Sequence, residues 1–184
     1  MLTKKVVELL ESDHILQEYK VYGWVRAFRS NRFIALNDGS CLDNLQCVVD
    51  FENTDEATLK SITTGASISV TGTLKESEGK GQRVELDVKS VEILGNADPE
   101  DVKKTILQPK KHSLEKLREQ AHLRVRTNTF GAIMRVRSKL AFAVHQYFNE
   151  NGFFYVNTPV ITGSDAEGAG EMFKVTNLDL KDIP

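Results

Sequence analysis

The stretch YKVYGWVRAFRSNRFIALNDGSCLDNLQCVVDF, residues 19–51, decides the fold. Its apolar residues alternate with polar ones, which is the pattern of half-buried β-strands. Ser30 and Asn31 are expected to form a tight hairpin between the first two strands, and residues 37–40 (NDGS) a turn before the third. The stretch therefore predicts three antiparallel strands. The residues assigned to their buried face are Val21, Gly23, Val25, Ala27, Ile34, Leu36, Leu45, Cys47 and Val49.

The opposite face of these strands has an unusual composition for a solvent-facing surface. It is predicted to carry Arg26, Phe28, Phe33 and Gln46. Exposed aromatic rings beside a cation and an amide suit unpaired bases, which stack on rings and offer their edges to hydrogen-bonding groups. The alternative is that Phe28 and Phe33 are core residues covered by another element. The pattern alone does not separate these two interpretations.

The residues around this stretch predict a five-stranded barrel. A short amphipathic helix is expected over residues 3–10, a second helix over 54–63 with Asn53 as its cap, and two further strands from Ser67 and from Gln82. Three strands, a helix and a closing hairpin follow the order of the oligonucleotide-binding (OB) barrel, whose second and third strands take single-stranded nucleic acid. An open sandwich without a ligand is the alternative fold.

Composition limits the function classes that remain. The chain has 184 residues, of which 40% are hydrophobic and 27% charged, as in soluble globular proteins. The formal net charge of −2 means that any contact with nucleic acid must come from local basic patches. No apolar run reaches membrane length and no signal-peptide pattern is present, which predicts a cytoplasmic protein. Cys41 and Cys47 are interpreted as reduced thiols, and no metal site is expected.

A charged segment over residues 96–128 is predicted to link the barrel, residues 1–95, to a second domain, residues 129–184. Pro99 and Pro109 are interpreted as helix breakers within it. Its paired lysines belong either to a solvated hinge or to a surface that lies along a phosphate backbone.

The second domain begins with the longest helical pattern, residues 129–151, which Gly152 is expected to end. Its apolar stripe is wide, yet the sequence after it offers only one strand, from Phe153 to Pro159. We therefore expect either that a partner subunit covers this helix or that the sequence is the front portion of a longer protein.

The helix, Gly152, the strand and the Thr158-Pro159 pair resemble motif 1 of the class II aminoacyl-tRNA synthetases. Three further segments sharpen the resemblance: GWVRAFRSNRFIALNDGS (23–40), HLRVRTNTF (122–130) and ITGSDAEGAGEMF (161–173). In this order they closely resemble the bacterial asparaginyl-tRNA synthetases over essentially the whole chain. Val125 departs from the proline that many relatives carry there. The resemblance implies a mainly β fold with helices, in which a five-stranded OB-fold barrel precedes the start of an α+β catalytic domain.

The family implies roles for five barrel residues. Phe33 resembles the aromatic residue that stacks on the middle anticodon base, and Gln46 the amide that hydrogen-bonds the edge of that base. Arg26 and Arg29 resemble arginines near the anticodon backbone, and Glu85 resembles a carboxylate that faces the first anticodon base.

Four residues outside the barrel are implied in other family sites. Glu167 resembles a carboxylate in a loop that closes over the amino acid and pairs with its ammonium group, and Ser164 and Asp165 lie in the mobile part of that loop. Pro159 is implied at the dimer interface.

The family enzyme condenses asparagine with ATP, in the presence of Mg²⁺, to an asparaginyl adenylate and then transfers the acyl group to tRNA with an asparagine anticodon. Motifs 2 and 3, which hold ATP in the family, have no counterpart in these 184 residues. We therefore expect an N-terminal portion that holds no catalytic residue, binds no cofactor and is inactive alone, although the full-length enzyme is expected to form a homodimer. The alternatives are a free-standing tRNA-binding paralogue and a single-strand-binding barrel without tRNA specificity.

Overall fold

The computed structural model describes residues 2–79, 81–163, 173 and 175–177. It divides into two compact units, Met1–Ser138 and Lys139–Pro184. The strands are β1 (Leu2–Thr3), β2 (Glu18–Arg29), β3 (Phe33–Asn37), β4 (Leu45–Val48), β5 (Ser67–Glu76) and β6 (Val84–Gly95). The helices are α1 (Val6–Leu10), α2 (Glu56–Ser61), α3 (Pro99–Lys103), α4 (Leu114–Glu119) and α5 (Asn128–Glu150), with a 3₁₀ turn at Arg124–Arg126.

Five of the strands close into a barrel. The order in the sheet is β1-β2-β3-β4-β6-β5, and β2 also pairs with β5, which joins the two sides. The pairing of β4 with β6 is parallel, whereas β2–β3, β3–β4, β5–β6 and β2–β5 are antiparallel. This is the five-stranded OB barrel predicted from the sequence, and the open sandwich is excluded. The short β1, which was not predicted, adds to β2 in parallel.

A β-bulge in β2 changes which side chains face outward. The register shifts between Val25 and Ala27, so that Phe28 pairs with the fully buried Ile34. One extra residue reverses the alternation beyond it, because side chains along a strand point to opposite faces in turn. Phe28 therefore packs against the core, and its predicted outward orientation is wrong.

The barrel interior is filled by one apolar cluster to which every strand from β2 to β6 contributes. Its fully buried members include Leu9, Ile34, Leu36, Leu45, Ile68, Leu74, Leu86, Val6, Val21, Val25 and Val49. Cys41 and Cys47 are both free thiols, and burial raises the pKa of Cys47. Helix α1 contributes Val6 and Leu9 to the apolar cluster and so forms part of the barrel core.

The turn after β3 holds the first residues of α1. The Val6 N–H donates to the Asp38 carboxylate at 3.0 Å, and the Val7 N–H donates to the Ser40 hydroxyl at 3.0 Å. Ser40 in turn donates to Asp38 through its hydroxyl, at 2.6 Å, and its N–H, at 2.9 Å. Helix N–H groups that lack a partner within the helix are satisfied here by a distant turn.

We expect Asp38→Ala to lower the free energy of unfolding by about 1–3 kcal/mol at neutral pH, because it removes the acceptor of the Val6 and Ser40 N–H groups. Burial favours a higher pKa for Asp38, but hydrogen bonds from the Ser40 hydroxyl and from the Ser40 and Val6 N–H groups outweigh burial and lower the pKa. The stabilisation should therefore be complete above the unfolded-state pKa of about 3.9 and be lost as the pH falls through the lower folded-state value.

Urea denaturation of wild type and variant at neutral and acidic pH measures this effect. Asp43→Ala is a matched control, since Asp43 is exposed in the same loop. Equal destabilisation by the two substitutions would contradict the proposed role of Asp38 in holding α1.

Two helices are shorter than the sequence patterns predict. Residues 2–3 pair with β2, so α1 begins at Val6 and not at residue 3. The Asn53 side chain donates to Asp50 at 2.6 Å, and Asp55 caps α2 by accepting from the Thr58 N–H at 2.9 Å. The predicted cap at Asn53 is therefore wrong.

The segment that follows the barrel is ordered and packed. Pro99 begins α3, and Asp98 caps that helix by accepting from the Glu100 N–H at 2.7 Å. Proline suits the first turn of a helix because its missing N–H has no partner there in any case. The interpretation of Pro99 as a helix breaker is therefore wrong, and Ile106 and Leu117 are buried within this segment.

The second unit contains the end of α5 and the residues after it. The predicted long helix is confirmed within one residue at each end, and Gly152 follows it with a φ of +84°. Residues 153–163 form no strand among the described residues, because an extended segment becomes a strand only when another strand pairs with it. Phe153 instead packs edge-on against Phe148, with ring centroids 5.4 Å apart.

No helix among the described residues is long and apolar enough to cross a bilayer. The division into domains at residues 95 and 128 stays a prediction.

Candidate nucleic-acid interface

The outer surface of β2, β3, β4 and β6 brings four of the predicted site residues, Arg29, Phe33, Gln46 and Glu85, to one part of the barrel. Phe33 lies opposite Arg29 on β2, and Gln46 on β4 lies opposite Ala35, two residues along β3 from Phe33. Phe33 and Gln46 therefore share one face as diagonal neighbours, roughly 7–8 Å apart. The Arg32 guanidinium lies over the Phe33 ring, 5.6 Å from its centroid, which places a cation beside the aromatic surface.

A buried carboxylate holds the Gln46 amide. The Gln46 Nε2 donates to Glu85 Oε2 at 3.2 Å, and Glu85 is only 6% exposed. Ser77 Oγ and Gln82 Nε2 donate to the same oxygen at 3.1 and 3.4 Å, and Lys75 Nζ lies 3.8 Å from Oε1. These donors satisfy the buried charge, so Glu85 fixes which end of the Gln46 amide carries the nitrogen.

The orientation of Gln46 leaves two hydrogen-bonding groups available. An amide nitrogen carries two hydrogens, and Glu85 receives one of them. The amide oxygen accepts no hydrogen bond from the described residues. Gln46 therefore presents one acceptor and one remaining donor side by side.

Arg26, the fifth predicted barrel residue, turns away from this surface. It is the extra residue of the bulge, and its guanidinium donates to the Arg126 carbonyl and, at 3.1 Å, to Asn128 Oδ1. Burial lowers the pKa of Arg26. Arg126 lies over the Trp24 ring, 5.0 Å from its centroid. The structure thus brings Arg26 to the segment before α5 and not to Phe33.

The predicted amino-acid loop is largely beyond the described residues. Ser164, Asp165 and Glu167 lie outside them, and Pro159 is described as exposed and without regular structure. Among the described residues, no group of three or more His, Cys, Asp and Glu side chains could hold a metal ion.

Two family models match the chain. Residues 19–94 match the OB-fold nucleic acid binding domain, and residues 113–182 match the class II tRNA synthetases of the D, K and N group. The first match covers the barrel, and the second begins just before α4 and includes α5. Their order agrees with the domain order inferred from the resemblance.

Curated relatives extend the match to nearly every residue. An asparagine–tRNA ligase from Parabacteroides distasonis is 53% identical over 182 residues, which are 97% of this chain and 38% of the relative. The chain matches the asparagine–tRNA ligase family over nearly its whole length. A Nostoc asparagine–tRNA ligase is 50% identical over 188 residues, covering 100% of this chain and 40% of the relative. The chain therefore spans about two fifths of the length of these ligases.

Solved structures of the ligase family have the same fold. Asparaginyl-tRNA synthetase from Pyrococcus horikoshii, complexed with asparaginyl-adenylate, matches with a TM-score of 0.77 at 24% identity, covering 94% of this chain and 40% of that one. The Entamoeba histolytica enzyme matches with a TM-score of 0.74 at 21% identity, covering 90% and 39%. At these identities the likeness concerns the fold alone.

Sequence reasoning missed the residues that support the outer face of the barrel. Ser77, Gln82 and Lys75 surround Glu85 although they belong to the β5–β6 hairpin and the loop between these strands. One signal was available, since Lys75 and Glu85 are directly paired across that hairpin and carry opposite charges. Arg32 was also missed, because a residue in a hairpin loop gives no periodic signal.

Proposed function

We propose that the barrel reads the anticodon of asparagine tRNA, and that the chain serves as the tRNA-recognition part of an asparagine–tRNA ligase. The observation that supports this most directly is the arrangement of Phe33, Gln46 and Glu85. It joins a partly exposed aromatic ring to an amide of fixed orientation on the barrel face that OB folds use for single strands.

The arrangement suits uracil, the middle base of the GUU anticodon that reads asparagine codons. The base stacks on Phe33, and such stacking contributes about 1–3 kcal/mol for each base. The uracil edge offers an N–H donor between two carbonyl acceptors. Gln46 presents an acceptor and a donor to that edge, and a bidentate pair of this kind contributes about 1–3 kcal/mol of discrimination.

Glu85 determines which base the Gln46 amide prefers, because it fixes the orientation of that amide. Cytosine presents an acceptor and an amino group in place of the uracil groups, so the Gln46 amide would need to rotate to match it. Rotation would bring the amide oxygen against the Glu85 carboxylate and replace a hydrogen bond by a repulsion. In this mechanism Glu85 is a positioning residue that acts through Gln46.

The first test removes the stacking surface. We expect Phe33→Ala to weaken binding of a GUU anticodon stem-loop by about 1–3 kcal/mol without a change in thermal stability, because the ring is only half-buried. Titration of fluorescent RNA measures the affinity. Tyr22→Ala is a matched control, since Tyr22 is also exposed on β2 but faces β5. Wild-type affinity in the Phe33 variant would exclude stacking.

The second test frees the Gln46 amide. We expect Glu85→Gln to reduce the preference for a central uracil over a central cytosine, because the neutral amide at position 85 accepts either orientation of Gln46. Binding of the two stem-loops should differ by about 1–3 kcal/mol for wild type and by less for the variant. Gln46→Ala supplies the reference without any reading group. An unchanged preference in Glu85→Gln would contradict the positioning role.

The remaining family properties are proposals for the full-length ligase. They comprise ligation of asparagine to tRNA with ATP and Mg²⁺, a cytoplasmic location, a homodimer that includes Pro159, and an amino-acid loop with Ser164, Asp165 and Glu167. Arg29 and Arg26 belong to the same proposal as contacts near the anticodon backbone. No step of the ligation is assigned to the described residues.

A further inference from the structure

A groove of about 670 Å³ lies in the first unit, between the outer surface of the barrel and the segment that follows it. The barrel side includes Arg29 and Asn44, and the other side is formed by residues 106–114 and 126–129. None of the described residues that line the groove is an aspartate or a glutamate. Its only charged side chains are therefore basic.

Three cations of the groove lack a counter-charge. Arg29, Lys110 and Lys111 are exposed and form no ion pair with any described residue. Other lysines of the same segment behave differently. Lys104 pairs with Asp101 at 2.9 Å and Lys116 with Glu119 at 2.8 Å. The two groove lysines thus differ from Lys104 and Lys116, which are neutralised by acidic residues nearby in the sequence.

His112, between these lysines and α4, has a buried Nε2 that finds no hydrogen-bond partner in the described structure. Leaving such a group unpaired typically costs about fivefold or more in an equilibrium constant. Buried polar atoms without partners are rare and call for a ligand or water. A rotation of the imidazole within the groove would present Nε2 to an anionic oxygen.

The wall next to α5 adds to the positive field. Arg126 lines this wall together with Arg26, and burial together with the like charge of Arg26 lowers the pKa of Arg126. An anion in the groove would offset this repulsion. The surface that carries Phe33 and Gln46 is called the reading face. Arg29 connects the groove to it, because Arg29 lines the groove and is also the cross-strand partner of Phe33.

We propose that this groove binds the phosphodiester backbone of the RNA strand whose base stacks on Phe33, with Arg29, Lys110, Lys111 and His112 as the phosphate-contacting residues. The proposal rests on the anticodon-reading function and adds a second contact region to it. Contacts to phosphate carry charge-dependent affinity and no base preference, whereas Phe33 and Gln46 supply the preference.

The test compares Lys110→Ala/Lys111→Ala with the control Lys104→Ala/Lys116→Ala, which removes the same charge from the same segment outside the groove. Each is titrated with a GUU stem-loop and with a stem-loop of altered anticodon over a series of salt concentrations. We expect the groove variant to lose roughly tenfold in affinity for both RNAs and to reduce the slope of log K against log salt by about 1–2. The control should retain the wild-type slope.

His112 is tested separately, in variants that retain both Lys110 and Lys111. We expect His112→Ala to lower the affinity for both RNAs by about threefold or more. His112→Gln, which retains a side-chain donor, should recover most of that loss. Equal melting temperatures for these variants and wild type would show that folding is intact.

The outcomes separate the groove from the reading face. A groove variant with wild-type slope and affinity would overturn the groove proposal even if Phe33→Ala loses binding. A groove variant that loses the same affinity for both RNAs would support the groove proposal. If the wild-type chain also showed no preference between the two anticodons, that result would overturn only anticodon reading. Failure of wild type to bind either RNA would overturn both.

Discussion

Gly72→Val is expected to abolish the folded barrel. A Cβ at Gly72 would overlap the backbone carbonyl oxygen of Asp87 and lie 3.0 Å from Leu86 Cγ. This carbonyl belongs to β6, so relief requires the separation of β5 from β6. Strain against a fixed backbone exceeds the usual cost of a point mutation, about 0.5–3 kcal/mol, and approaches the whole stability of a domain, about 5–15 kcal/mol.

Circular dichroism during heating measures this loss. Gly79→Val is the matched control at the end of the same hairpin, because a Cβ there meets only Ser77 Oγ at an ordinary 3.5 Å. The control should melt within a few degrees of wild type. Cooperative melting of the Gly72 variant at the wild-type temperature would show that the close approach of β5 and β6 is not required.

The 184-residue chain is expected to self-associate, because the second unit exposes an extensive apolar surface. The exposed side chains are Leu140, Phe142, Val144, Tyr147, Phe148, Phe153, Phe154, Tyr155 and Val156, and Phe154 is 93% exposed. Contiguous apolar patches of this kind are rare on monomers and mark interaction surfaces. We expect dimers or larger species at tens of micromolar, roughly the regime in which such surfaces associate.

Sedimentation velocity of the wild type and of Leu140→Asp/Phe142→Asp tests this expectation. Charges within the patch should shift the population toward monomer, whereas Arg137→Asp/Lys139→Asp, on exposed polar positions of the same helix, should not. A wild-type chain that sediments as a clean monomer would contradict the prediction.

The sequence predicted the elements whose determinants are local. The Ser30-Asn31 hairpin was recognised because serine and asparagine are common in turns, and both adopt positive φ, at 54° and 49°. The long helix was recognised from its period, and Gly152 from its preference for the left-handed region. Barrel closure followed from the order of elements.

The features that the sequence did not predict depend on single residues or distant contacts. The bulge at Arg26 inserts one residue without changing the local composition, so the alternation assigned Phe28 to the wrong face. Gln46 and Glu85 are 39 residues apart and meet only because β4 pairs with β6. A strand after Phe153 could be formed only by pairing, which sequence pattern alone does not supply.

The groove could be predicted from the sequence only in part. Its basic residues were visible as a lysine-rich segment, but sequence could not distinguish Lys110 and Lys111, which have no counter-charge, from Lys104 and Lys116, which are paired. The unpaired Nε2 of His112 likewise exists only in the folded chain.

Anticodon reading by the barrel is tested most directly by binding of the wild-type chain to two stem-loops that differ only in the middle anticodon base. Stacking on Phe33 is common to both RNAs, so any difference in affinity comes from Gln46 in the orientation set by Glu85. We predict that the RNA with central uracil binds more tightly than the RNA with central cytosine by about 1–3 kcal/mol. Equal affinities in the same buffer would contradict anticodon reading by this face.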